Sequence, residues 1–159
     1  MNAMASVPTI GTELVFTRIL DAPRALAFKV WTDPAHLAKW WGPKDFTNPV
    51  CEADVRPGGA LKIVMRGPDG TDYPMTGAFI EIAPPERLVL NTTAFEDDAG
   101  NPRLEVLCTV IFTEYNGKTK LTLTTRVIKA GPEVAQALAG MQEGWSQSLD
   151  RLAQLLSKF

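Results

Sequence analysis

Chemistry-bearing side chains are scarce in this chain. Its 159 residues hold one histidine and two cysteines. A lone His36 cannot build a familiar histidine metal set, and Cys51 and Cys108 lie far apart without metal-ligand spacing. Both cysteines fall on apolar positions of strand-like runs, where buried reduced thiols are expected rather than a disulfide. A Cys–His nucleophile pair would need an activated thiol beside His36, and nothing in the spacing provides one. Positive charge is thin as well: 16 Lys and Arg stand against 18 Asp and Glu, for a net charge of −2. No basic run exists to follow a phosphate backbone, which excludes a nucleic-acid partner. Nor is there an apolar run long enough to span a bilayer. The opening MNAMASVPTI has neither a basic n-region nor an apolar h-region, so the expectation is a cytoplasmic protein without a signal peptide.

What is present is the makeup of one globular domain, with 45% apolar and 21% charged residues. Residues 1–10 read as a flexible tail and 11–159 as a single domain. TELVFTRIL is rich in β-branched and aromatic residues and reads as a first strand. Asp21 and Pro23 are start signals for a short helix whose Ala27, Val30 and Trp31 share a face. Asp33 is then the N-cap of a second short helix, with Pro34 in its first position and Gly42-Pro43 at its end.

From Phe46 to Val127 the apolar period is two. One strand sets Cys51, Ala53 and Val55 against Glu52 and Asp54; later ones align Leu104, Val106, Cys108, Val110 and Phe112, then Thr119, Leu121, Leu123, Thr125 and Val127. RPGGA, RGPDGTD, APPE, EDDAGNP and NGK punctuate the runs. Six consecutive strands joined by short turns make an antiparallel meander with one apolar face. Gly131-Pro132 opens the last element. Val134, Leu138, Met141, Trp145, Leu149, Leu152, Leu156 and Phe159 recur at steps of three and four, which predicts one long amphipathic helix. A twisted sheet curled around that helix buries every apolar face.

Two features of this pattern bear on function. Trp40 and Trp41 are adjacent, so on a helix they point about 100° apart and cannot share one narrow stripe. One is expected in the core and the other, Trp41, at the border of a cavity. The last helix also carries Gly140 and Gly144 in its interior, each costing about 1 kcal/mol relative to alanine. With Ala137 and Ser148 they form a ridge of small side chains beside Met141 and Trp145. That ridge means either close backbone approach to the sheet or room left between sheet and helix.

The segments ILDAPRALAFKVWTDPAHLAKWWGP, RPGG, EIAPPERLVL and GMQEGWSQSLDRLAQLL, in this order, resemble the activator of heat shock protein 90 ATPase homologue-like family. That family belongs to the START-like, or SRPBCC, superfamily. The resemblance implies an α+β helix-grip fold: a curved seven-stranded antiparallel sheet around a long C-terminal helix, two short helices after strand one, and a cavity between sheet and helix. It implies a hydrophobic or amphipathic small-molecule ligand, and no cofactor or metal. The candidate lining is Trp41, Phe46, Met65, Met75, Phe79, Cys108, Leu123, Met141, Gly144 and Trp145. A few superfamily members are cyclases or hydrolases, and a homodimer is plausible for it. The family's namesake stimulates a chaperone ATPase; this sequence reads as a single domain without the namesake's separate N-terminal domain, so a chaperone-type protein interaction, like a cavity-based hydrolase or cyclase, is the alternative to ligand binding rather than the first expectation. Carboxylates such as Glu52, Asp54 and Glu105, and Arg126, fall on the wet face by alternation, which leaves no visible catalytic constellation. His36 is expected on the solvent side of its helix.

Overall fold

The computed structural model describes residues 8–159. Strand β1 (Glu13–Leu20) is followed by helices α1 (Arg24–Thr32) and α2 (Pro34–Trp40). Six strands come next: β2 (Thr47–Ala53), β3 (Ala60–Arg66), β4 (Asp72–Ala83), β5 (Arg87–Glu96), β6 (Pro102–Tyr115) and β7 (Lys118–Ala130). A 3₁₀ turn (Pro132–Val134), a short helix α3 (Ala135–Ala139) and the long helix α4 (Met141–Leu156) complete the chain. The sheet has seven strands in the order β1-β7-β6-β5-β4-β3-β2, every neighbouring pair antiparallel. This is the helix-grip arrangement, with β1 added to the far edge of the meander.

The period-two pattern translates directly into burial. Thr119, Leu121, Leu123, Thr125 and Val127 of β7 are all buried, as are Val106, Cys108, Val110 and Phe112 of β6. Register shifts between Thr47 and Val50, Phe79 and Glu81, and Glu105 and Val106 each insert an extra residue. Such bulges bend the strand that carries them and increase its twist, which helps the sheet curl over α4. The bulge residue Ile80 is left 51% exposed in consequence. Leu149, Leu152 and Leu156 of α4 are fully covered by the sheet and by α1 and α2, in one core with Trp31, Leu37 and Trp40.

Several expectations need correction. The last element is not one continuous helix: Gly140, at φ −89° and ψ −2°, separates α3 from α4. A glycine inside a helix weakens it at that point, and here the chain steps aside so that Val134 and Leu138 pack in a small second cluster with Val127. Phe159 lies beyond α4, exposed, with its ring centroid 5.5 Å from that of His36. His36 is therefore half-buried rather than solvent-facing, and its Nε2 lies 4.0 Å from Asp33. Asp33 caps α2 through Ala35 N–H as its sequence position predicts, but Asp21 does not cap α1, which starts after Pro23 without a side-chain cap. Val55 lies outside β2 and is exposed. Of the proposed tail, residues 1–7 lie outside the described residues. Pro8 is buried, and Gly11 N–H donates to Val127 O at 2.7 Å. Among the described residues no helix is long and apolar enough to cross a membrane.

Candidate functional site

The site begins where α2 ends. Trp40 points into the core, and its Nε1–H donates to Val30 O at 2.9 Å. Trp41 is the C-cap and has left helical geometry, at φ −62° and ψ 135°. Its φ is still helical, so the change at ψ redirects the chain after Trp41, while the adjacent helical positions set the two side chains apart, with ring centroids 5.6 Å apart. Gly42 follows at φ +98°, where a Cβ would also lie only 3.1 Å from Met65 Sδ. The carbonyls freed at this helix end are not left unpaired. Arg151, reaching from α4, donates through Nη1 to Trp41 O (3.1 Å), Gly42 O (2.9 Å) and Pro43 O (3.0 Å), and through Nη2 to Lys39 O (3.3 Å). Asn48 Nδ2 donates to Ala38 O and Trp41 O at 2.9 and 2.8 Å. Partial burial pulls the Arg151 guanidinium below its ordinary pKa, and the nearby Asp45 charge opposes that shift.

All four tryptophans meet here. Trp31 and Trp145 are nearly parallel, 16° apart with centroids 6.3 Å apart. Trp41 stands edge-on to both, at 6.4 Å from Trp31 and 5.2 Å from Trp145, and Trp40 packs 4.7 Å from Trp31. Edge-to-face and offset pairs at these spacings are mutually attractive beyond the area they bury. The cluster gives the space beside it one rigid wall.

That space is a cavity of about 600 Å³ between the sheet and the last two helices. Such a volume is in the range of small-molecule sites. Trp41, Gly42, Pro43 and Phe46 border it from the α2–β2 connection, Met65, Tyr73, Met75, Thr92, Ala94, Leu104 and Val106 from the sheet, and Gln136, Ala137, Gly140, Met141, Gly144, Trp145 and Ser148 from the helices. Met65, Met75 and Met141 therefore all face the same hollow, and methionine adapts readily to differently shaped apolar partners.

The ridge of small residues is resolved by distance. A Cβ built on Gly140 would meet only carbonyls of its own helical segment, at 3.7 and 3.9 Å. One built on Gly144 would meet Pro43 Cγ at 3.7 Å, an ordinary contact. Neither glycine lets a backbone come closer. They leave room, and Ala137, Gly140, Gly144 and Ser148 all line it.

Seven of the ten residues expected from the sequence border the cavity: Trp41, Phe46, Met65, Met75, Met141, Gly144 and Trp145. Phe79, Cys108 and Leu123 do not. They are 1%, 0% and 0% exposed and belong to the packed core. They share a sheet face with lining residues, but sit in the packed core cluster with Leu149, Leu152 and Leu156 of α4 and with Trp31, Leu37 and Trp40 of α1 and α2. Burial pushes the Cys108 thiol up to about 12, and burial together with the Glu52 charge pushes Cys51 up to about 11, so both stay protonated at neutral pH. Glu52 and Arg126 are exposed, Asp54 pairs with Arg56 at 2.7 Å, and Glu105 accepts from Asn91; none of the four borders the cavity.

Sequence reasoning missed the shape of the sheet wall. Along one face of β5 the side chains run Leu88, Leu90, Thr92, Ala94, from large to small, and the hollow opens where they shrink. That gradient is readable in RLVLNTTAF. It also missed Arg151, which no apolar periodicity flags.

A family profile described as Activator of Hsp90 ATPase homolog 1-like protein matches residues 21–157. No curated protein sequence matches the chain. Among solved structures, one from Chromobacterium violaceum is 30% identical at a TM-score of 0.76, covering 91% of this chain and 96% of that one. One from Nitrosomonas europaea is 27% identical at 0.75, covering 92% and 94%. The AHSA1 protein of Silicibacter pomeroyi is 26% identical at 0.74, covering 92% and 98%. With nearly the whole chain matched and the helix-grip sheet in place, the chain belongs to the Activator of Hsp90 ATPase homolog 1-like family.

Proposed function

We propose that this chain binds an apolar or amphipathic small molecule in the cavity between its sheet and its last two helices. The observation that carries the reading is Gly144, a glycine inside α4, together with Gly140 at the break before it. Gly144 weakens α4, neither glycine makes a close approach in return, and both border the hollow. A core selected only for stability would fill that space, because interiors pack densely. Here the space is kept open, bordered by the rings of Trp41 and Trp145, by Met65 and Met75 from the sheet and by Met141 from α4.

Burying apolar surface supplies about 25 cal/mol per Å² in transfer terms. A ligand with one or two rings or a medium-length chain thus reaches micromolar affinity after the costs of association. Thr92, Gln136 and Tyr73 offer polar atoms to orient it. The cavity supplies little for acid–base chemistry. Its one lining carboxylate, Asp72, is held by Arg66, and this ion pair keeps its pKa below the usual carboxylate range. The reading is therefore binding rather than turnover.

The test is organic extraction of the freshly purified protein, with mass spectrometry of the extract. A discrete apolar compound, recovered from the wild type and missing from Gly144→Leu prepared in parallel, is the expected result. The same compounds in both extracts would place any binding elsewhere.

A further inference from the structure

The charge that a ligand can carry follows from the lining. No Lys, Arg or His borders the cavity among the described residues. The one charged side chain there, Asp72, is negative. Its two oxygens are gripped by Arg66, at 2.7 Å from Nε and 3.2 Å from Nη2, so that cation is already spent. Arg151 stands behind the Trp41 wall with its guanidinium committed to the carbonyls of Lys39, Trp41, Gly42 and Pro43. The Asp72–Arg66 pair lies at the exposed rim, and an anionic head group passing it into the hollow loses its water and meets aromatic rings and thioethers with no free cation among the described residues. Burying an unpaired charge is far less favourable than burying a hydroxyl or carbonyl that finds one hydrogen-bond partner.

The polar groups present suit a neutral partner. Thr92 sits on the sheet wall between the core residue Leu90 and the small Ala94, so its hydroxyl belongs to the inner part of the hollow. Gln136 offers both amide donors and an acceptor from the helix side. The Ser148 hydroxyl gives its proton to Gly144 O at 2.9 Å and keeps only acceptor capacity.

We propose that the cavity selects uncharged apolar molecules bearing at most a hydroxyl, carbonyl or amide, and rejects carboxylates, sulfonates and phosphate-bearing lipids. This rests on the cavity being the ligand site, and the test separates the two claims. N-phenyl-1-naphthylamine and 8-anilinonaphthalene-1-sulfonate share one ring skeleton and differ by a sulfonate. Each is titrated into the wild type and into Gly144→Leu at physiological ionic strength, with fluorescence enhancement as the readout. 1-Decanol and decanoate are then compared as competitors. Only signal that the substitution removes counts as cavity binding.

The neutral probe should bind at least tenfold more tightly than the sulfonate, and decanol should displace it at concentrations at least tenfold below those of decanoate. Equal cavity affinity for both probes, or displacement by decanoate as good as by decanol, overturns the selectivity while leaving the site intact. Absence of any signal sensitive to Gly144→Leu removes the site, and the selectivity with it.

Discussion

Gly144 permits the sharpest test, because the two explanations of a helix glycine predict opposite signs. If the residue leaves room, adding a side chain costs nothing in packing and restores helix propensity. Gly→Ala within a helix is worth about 1 kcal/mol. The new Cβ would sit 3.7 Å from Pro43 Cγ, an ordinary contact, with nothing nearer outside its own helix. Gly144→Ala should therefore raise stability by about 1 kcal/mol, which for a domain of this size is about 2–4 °C in Tm. Gly144→Leu should be at least as stable as the wild type, since its extra carbons enter an apolar hollow. It should also weaken any cavity ligand at least tenfold. Thermal and urea unfolding followed by circular dichroism measure the first effect, and a fluorescence titration the second. A loss of 1 kcal/mol or more in Gly144→Ala would mean that the glycine serves close packing, and the argument from space would fail.

Arg151→Met keeps the length of the side chain and removes the guanidinium from four carbonyls. Charged hydrogen bonds are each worth about 1.5–3 kcal/mol, so a loss of at least 2 kcal/mol in urea unfolding is expected, with a changed tryptophan emission as Trp41 loosens. An unchanged midpoint would show that water replaces the clamp at no cost. Burial of the thiols makes stability depend on alkaline pH. Cys108 titrates at about 12 in the folded chain against an ordinary 9.0, so the unfolded chain releases the proton first. Stability from this thiol is complete below pH 9 and falls as pH rises towards 12. Cys108→Ala should flatten that fall, and wild-type Cys108 should resist iodoacetamide at pH 8 until denaturant is added; rapid native alkylation of both thiols would contradict the burial.

The strands were legible because burial on one face imposes a period of two, and β6 and β7 obey it residue by residue. Asp33-Pro34 and Gly42-Pro43 bracketed α2 for equally local reasons, a side-chain cap and a left-handed glycine. The break at Gly140 was not read, because an unbroken apolar stripe runs across it and periodicity records faces rather than continuity. The small-residue ridge left close packing and a hollow both open, and only the family resemblance favoured the hollow; its depth was legible from neither. Phe79, Cys108 and Leu123 share a sheet face with lining residues, and only the curl of the sheet decides which level of that face is packed into the core. Arg151 was hidden for another reason. Its role depends on carbonyls more than a hundred residues away along the chain, a long-range match that no local pattern encodes.

Native mass spectrometry of the wild type and of Gly144→Leu, each incubated with a panel of uncharged apolar compounds, tests the central claim most directly. The account predicts a one-to-one adduct on the wild type that is absent from the equally folded variant. No adduct on the wild type, or the same adduct on both, would contradict it.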